Sequence, residues 1–180
     1  GGCLPRLPLL NPAVLQSLDI SNTGIEFLMG IEQFPSLLSL DASDLGLTDI
    51  QPLAFAPFTF TLTELRLANN AIFDVSPLQS YSNLNTLWLS GNPSIDYFQL
   101  QSILSQNTQL ARLGLGDINL QSGFVNLPLM NPSIMLELDI SNTGIELLSG
   151  IEQFNALQSL DASDNLISDL QPLAFANLQG

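Results

Sequence analysis

The sequence predicts a repeat solenoid of about seven coils, and two observations carry that prediction. Residues 7–57 align without a gap to residues 127–177, with 34 of 51 positions identical, including the stretch LDISNTGIE that begins at Leu18 and again at Leu138. Unrelated segments do not agree to that extent, so the 180-residue chain holds an internal duplication at an offset of 120. A shorter frame lies inside the longer one. The pattern L-x-x-L-x-L begins at Leu15, Leu37, Leu62, Leu84 and Leu110, then at Met135 and Leu157. The intervals are 22, 25, 22, 26, 25 and 22 residues, and the first five total 120, so the long repeat is five short ones.

Within each frame the fourth and sixth positions are apolar and two apart, which puts both on one face of an extended strand. The leucine three residues earlier enters the same core from the preceding turn. The ninth position favours Asn, whose side chain can satisfy backbone groups buried in the turn. It holds Thr23, Leu45, Asn70, Asn92, Ile118, Thr143 and Asn165, so altered turn geometry is expected at Leu45 and Ile118. Residues 93–107, PSIDYFQLQSILSQN, read as a short helix capped by Ser94 with Asp96 in its first turn.

On these residues the chain resembles the leucine-rich repeat family over essentially its whole length. LTDIQPLAFA (47–56), IFDVSPLQSY (72–81) and ISDLQPLAFA (167–176) resemble the 22-residue repeats of bacterial internalins, whose pattern is N-x-I-x-D-I-x-P-L-x-x-L. The 25- and 26-residue intervals depart from that subclass. The resemblance implies an α/β solenoid occupying residues 1–180 as one domain. A parallel β-sheet would line the concave face, with loops, 3-10 turns and one short helix on the convex face. Neither end reads as a polar cap. The chain is therefore expected to be a piece of a longer protein, or to have ends that pack on something else. End-to-end self-association through exposed terminal coils is a corollary.

Composition narrows the function. Apolar residues make up 46% and charged ones 11%, which is unlike a disordered segment. No apolar run reaches the length of a membrane span. The net charge is −14, and Arg6, Arg66 and Arg112 are the only basic residues. Phosphates would find almost nothing to neutralise them, which excludes a nucleic-acid partner and disfavours an anionic membrane surface. The absence of His removes the commonest general base and metal ligand, and no cofactor is expected. Cys3 is alone, so it closes no disulfide within the chain and anchors no thiolate zinc site. Gly-Gly before Cys3 has two readings: the tail of a bacterial lipoprotein signal, making Cys3 a lipid anchor, or a processing remnant.

The positions between the leucines project from the sheet and form columns. Position five runs Asp19, Asp41, Arg66, Trp88, Gly114, Asp139, Asp161, and position three runs Ser17, Ser39, Glu64, Thr86, Arg112, Glu137, Ser159. Two of the three arginines and the only Trp thus fall on three adjacent strands, and Trp and Arg are enriched at interface hot spots. The expected contact patch is Trp88 as apolar anchor with Arg66 and Arg112 as directional donors, oriented by Glu64, Asp41 and Glu137. Gly114 and Gly116 leave space for the Trp88 ring or for a partner's side chain. A self-satisfied surface is the competing reading: Arg66 neutralised by Asp41 or Glu64, Arg112 paired with Glu137, and Trp88 covering the glycines.

Two other function classes follow from the carboxylates. Asp19 beside Asp41, and Asp139 beside Asp161, are weak candidates for holding calcium, with Asp44 and Asp164 nearby. Catalysis is disfavoured, because nothing predicts a deep pocket and no Ser has an activating partner. The expectation is a non-catalytic protein-binding module, with a glycan as second choice of ligand. By resemblance to internalins it belongs to a bacterial surface or secreted protein. A structural or adhesive surface protein with an acidic face is the alternative. No N-x-S/T sequon with a permitted middle residue occurs, since Asn92 and Asn131 precede Pro, which is unlike a eukaryotic secreted ectodomain.

Overall fold

The computed structural model describes residues 2, 4, 11–120 and 131–175. One strand per frame forms a single parallel sheet in chain order. The strands are β1 (Ser17–Asp19), β2 (Ser39–Asp41), β3 (Glu64–Arg66), β4 (Thr86–Trp88), β5 (Arg112–Gly114), β6 (Glu137–Asp139) and β7 (Ser159–Asp161). Each strand covers positions three to five of its frame. The register sets equal positions side by side, so Leu40, Leu65, Leu87 and Leu113 form one row. All four are fully buried, as are Leu37, Leu62 and Leu84 from the first position of their frames. Burying such a leucine stabilises by roughly 1.5–3 kcal/mol, and no single coil can do it alone.

The convex side returns through 3-10 turns and two helices. The turns are Pro12–Val14, Ile31–Gln33, Gln51–Phe55, Ser76–Ser80, Pro132–Ile134 and Ile151–Gln153; the helices are α1 (Tyr97–Gln106) and α2 (Gln171–Phe175). The pentapeptide QPLAF is a 3-10 turn at 51–55 and an α-helical turn at 171–175. Identical sequence leaves the surroundings to decide. The first copy lies between the turns at 31–33 and 76–80, whereas α2 packs on 151–153.

Helix α1 starts later than the sequence suggests. Its N-cap is Asp96, whose Oδ1 accepts from Phe98 N at 2.9 Å, and not Ser94. A turn closed by Ile95 N donating to Asn92 O occupies the intervening residues. Tyr97, Leu100, Ile103 and Leu104 then form the buried stripe of an amphipathic helix.

The ninth position stitches coil to coil. Fully buried Asn92 accepts from Ile72 N at 3.1 Å and donates to Leu67 O at 2.9 Å and Leu89 O at 2.8 Å. Thr23 and Thr143 make the shorter version, each hydroxyl donating to a carbonyl of its own coil (Ile20 and Ile140) at 2.8 Å. At Leu45 the neighbouring coil supplies the missing amide, because Asn70 Oδ1 accepts from Leu45 N and Leu47 N. At Ile118 the amide turns inward to Leu115 O at 3.1 Å. A further asparagine bridge ends α1: Asn107 accepts from Leu84 N and donates to Tyr81 O.

The eighth position is governed by the backbone. Asn22, Asp44, Asn69, Asp117, Asn142 and Asp164 all have φ between 50° and 66°, and Gly91 completes the column at 77°. Gly adopts this left-handed region freely, and Asn and Asp are the side chains that tolerate it. This column is the corner where each coil leaves the sheet.

Candidate functional site

The concave sheet places every sequence-predicted contact residue on one face and separates their roles. Register carries Asp41 to Arg66, Arg66 to Trp88 and Trp88 to Gly114, with Glu64, Thr86, Arg112 and Glu137 forming the parallel row. Strands lie about 4.8 Å apart, so Arg66, Trp88 and Arg112 share a patch about 10 Å wide. All three are half-buried. Thr86 is completely buried on this outward-facing row, flanked by the long side chains of Glu64 and Arg112.

The two arginines differ. Arg112 Nε lies 3.7 Å from Glu137 Oε2, the one ion pair among the described residues. Both side chains remain more than 40% exposed, so the pair contributes at most about 1 kcal/mol. Arg66 has no carboxylate partner among the described residues: Glu64 Oε2 instead accepts from Ser39 Oγ at 3.3 Å, and Asp41 Oδ1 accepts from Ser43 N. The self-satisfied reading therefore describes Arg112 and leaves out Arg66.

The space above the glycines is occupied. A Cβ on Gly114 would meet Trp88 Cδ2 and Cε2 at 2.6 Å, so the indole lies directly on that backbone. A Cβ on Gly116 would meet Ser141 Oγ at 2.7 Å and Asp139 Oδ2 at 2.8 Å. Gly116 N donates to Ser90 Oγ at 3.0 Å, and Ser90 Oγ donates to Asp139 Oδ2 at 2.6 Å. Asp139 thus reaches from β6 across the coil of β5 to the coil of β4. The ring and this strap fill the gap.

The aspartates at position five share one local bond. Asp19, Asp139 and Asp161 each accept on Oδ1 from the backbone N–H and the hydroxyl of the serine two residues on, the hydroxyls all at 2.6 Å. Asp41 accepts only from the backbone N–H of Ser43. Among the described residues no three acidic side chains gather closely enough to hold a metal ion. The Ser21 and Ser163 hydroxyls, followed by their N–H groups, hold the carboxyls of Asp19 and Asp161 below the usual carboxylate range. Depressed folded values mean that the stabilising contribution is present above the unfolded pKa and lost as pH falls through the folded one. Titration followed by carboxyl NMR is expected to find both lowered from the value of a free aspartate. Ser163→Ala is expected to raise Asp161 alone, and an unmoved Asp161 would remove the hydroxyl as the cause.

The convex side offers a different surface. Phe55, Phe60, Phe73 and Phe98 are each more than half exposed. A groove of about 380 Å³ is lined by Met29, Gly30, Glu32, Pro52 and Phe55. Its duplicate, about 340 Å³, is lined by Ser149, Glu152, Asp169, Gln171 and Pro172. Residue columns read from the sheet do not reveal either groove, because their linings come from turns in successive coils. Cys3 and Arg6 lie outside the described residues.

Seven parallel strands stacked by one leucine frame, with asparagines bridging the coils, define a class. The Leucine Rich Repeat family model matches residues 156–178. The chain is a leucine-rich repeat protein, and folds of this class typically serve as non-catalytic protein-binding modules. Within the class its structure is internalin-like. An internalin (inlF) from Listeria monocytogenes superposes with a TM-score of 0.72 at 26% identity, covering 93% of this chain and 47% of that one. Internalin C2 (inlC2) from the same organism gives 0.63 at 28% identity, covering 90% and 77%. Among curated proteins, Tubulin-specific chaperone E from Mus musculus is 31% identical over 161 residues, 82% of this chain and 30% of the relative. The Rattus norvegicus protein of the same name is 33% identical over 138 residues, 72% and 26%. The chain thus spans less than a third of the length of the curated relatives it matches. No helix among the described residues is long and apolar enough to cross a membrane.

Proposed function

We propose that the chain is a non-catalytic module that binds a protein partner at the centre of its concave sheet. The observation that carries this reading is Arg66: a half-buried guanidinium without a carboxylate partner among the described residues, set beside the half-exposed Trp88. Trp88 is the anchor and Arg66 the principal donor. Arg112 contributes after exchanging or sharing Glu137, while Glu64 and Asp41 shape the field around Arg66. The internalin likeness supports a bacterial protein, secreted or at the cell surface, with a glycan as second ligand class. An acidic adhesive surface, with calcium at Asp19 and Asp41 or at Asp139 and Asp161, is the alternative use of the same face.

The relatives named Tubulin-specific chaperone E favour a second reading, in which the partner is tubulin. One experiment addresses both. The native chain and a variant carrying Arg66→Glu, Trp88→Ala and Arg112→Glu, matched for circular dichroism and melting, are presented to purified tubulin and to envelope extracts. Capture by the native chain and loss by the variant is the expected result. Equal capture by both moves the site to the convex grooves. No capture by either, with calcium present and absent, leaves the structural role.

A further inference from the structure

We infer that the partner presents an extended segment with a fixed charge order: a base, then an acid, an apolar residue and a second base. This rests on the concave-face reading above and names the partner's chemistry. The fifth-position row reads Asp19, Asp41, Arg66, Trp88, Gly114, Asp139, Asp161 across the sheet, each residue in register with the next.

Not every member of the row is available. Gly114 lies under the indole, and Asp139 spends one oxygen on Ser141 and the other on Ser90. Asp19, Asp41 and Asp161 each use Oδ1 and keep Oδ2 open among the described residues. The open groups are therefore two carboxylates, one guanidinium and one indole side by side, and a third carboxylate at the far end.

Spacing turns that order into a pattern. Rows advance about 4.8 Å per strand, while an extended chain advances about 3.3 Å per residue and points alternate side chains to one face. With an acid over Arg66, the residue two before it stands about 7 Å away, between Asp41 at about 5 Å and Asp19 at about 10 Å. The residue two after it covers Trp88. The residue six after it, at about 20 Å, meets Asp161 on the fourth strand beyond β3, at about 19 Å. The complementary segment is base-x-acid-x-apolar-x-x-x-base, in either chain direction. A charge order of this kind gives register and selects against partners with the order inverted.

The sole tryptophan of the chain, Trp88, lies in this row and reports binding by its fluorescence. The probes are the peptide Lys-Ser-Glu-Ser-Leu-Ser-Gly-Ser-Lys, its reverse, and the equal-composition control Glu-Ser-Lys-Ser-Leu-Ser-Gly-Ser-Lys. One patterned direction is expected to bind about tenfold more tightly than the control. Changing its Glu to Gln is expected to weaken binding to the native chain about tenfold and to leave binding to Arg66→Gln unchanged. Equal affinity for patterned and control peptides, absence of saturable binding in both directions, or equal weakening in native and Arg66→Gln chains would overturn the inference. If the triple variant above still loses its captured partner, the concave site stands and only the charge order falls; if it keeps that partner, both fall.

Discussion

Asn92→Ala is expected to lower the stability of the chain by about 3 kcal/mol, measured as the shift in urea unfolding. The side chain is fully buried and makes three hydrogen bonds, two to the coil of β3 at Ile72 N and Leu67 O and one within its own coil at Leu89 O. Truncation strips the Ile72 N–H and the Leu89 carbonyl of that partner in a site closed to solvent, at about 1–3 kcal/mol for each group. Leu67 O retains the Asn70 amide, so the loss is partial there. Asn92→Asp separates donor from acceptor: it keeps the oxygen that Ile72 N needs but turns a negative charge toward two carbonyls. It is expected to be at least as damaging as Ala near neutral pH and to recover as the carboxyl protonates. A cost below about 1 kcal/mol for Ala would mean that water replaces the amide, and the ladder would then be a convenience of packing.

Gly114→Ala is expected to expel Trp88 from its seat. The added methyl would stand 2.6 Å from two ring carbons and 2.7 Å from Ser90 Oγ, so the ring must move off the backbone. Overpacking of this kind costs about 1–3 kcal/mol. Emission from the lone Trp should shift to the red as the ring enters solvent. Trp88→Ala combined with Gly114→Ala is expected to be more stable than the sum of the two single changes, because the methyl then fills the space the ring leaves. Additive losses would show that the ring does not depend on that glycine.

The two residues in these predictions were legible in the sequence to different degrees. Asn92 stood out because the ninth position recurs at a fixed distance from the leucines, and any position that recurs in a parallel stack must meet its own counterpart. The same logic gave the strands, their order and the columns. It failed where a side chain chooses among neighbours. Arg112 and Arg66 each had a carboxylate within reach of the same spacing, and only Arg112 closed its pair. Gly114 and Gly116 leave room for the Trp88 ring or for a partner's side chain, and the ring takes it at Gly114 while Asp139 and Ser141 take it at Gly116, because direction along the row is set by rotamer and not by register. The Asn, Asp and Gly of the eighth position carry a backbone signal, since those are the residues that accept a left-handed corner. Ser94 reads as the helix cap in the sequence, but the turn from Asn92 to Ile95 takes up that space and Asp96 caps instead.

The strap from Asp139 to Ser90 changes how this stack comes apart. A solenoid in which each coil touches only its neighbours unzips one unit at a time, like a one-dimensional chain with nearest-neighbour coupling. Asp139 and Ser90 are 49 residues apart and belong to coils four and six, so their bond adds a coupling that skips a unit. It skips the coil whose ninth position is Ile118, where the asparagine ladder has no rung of its own. The weakest rung is thus bracketed, and coils four to six are expected to open as one block, losing their amide protection against exchange together. The centre of the concave sheet would then stay rigid while the flanking copies breathe.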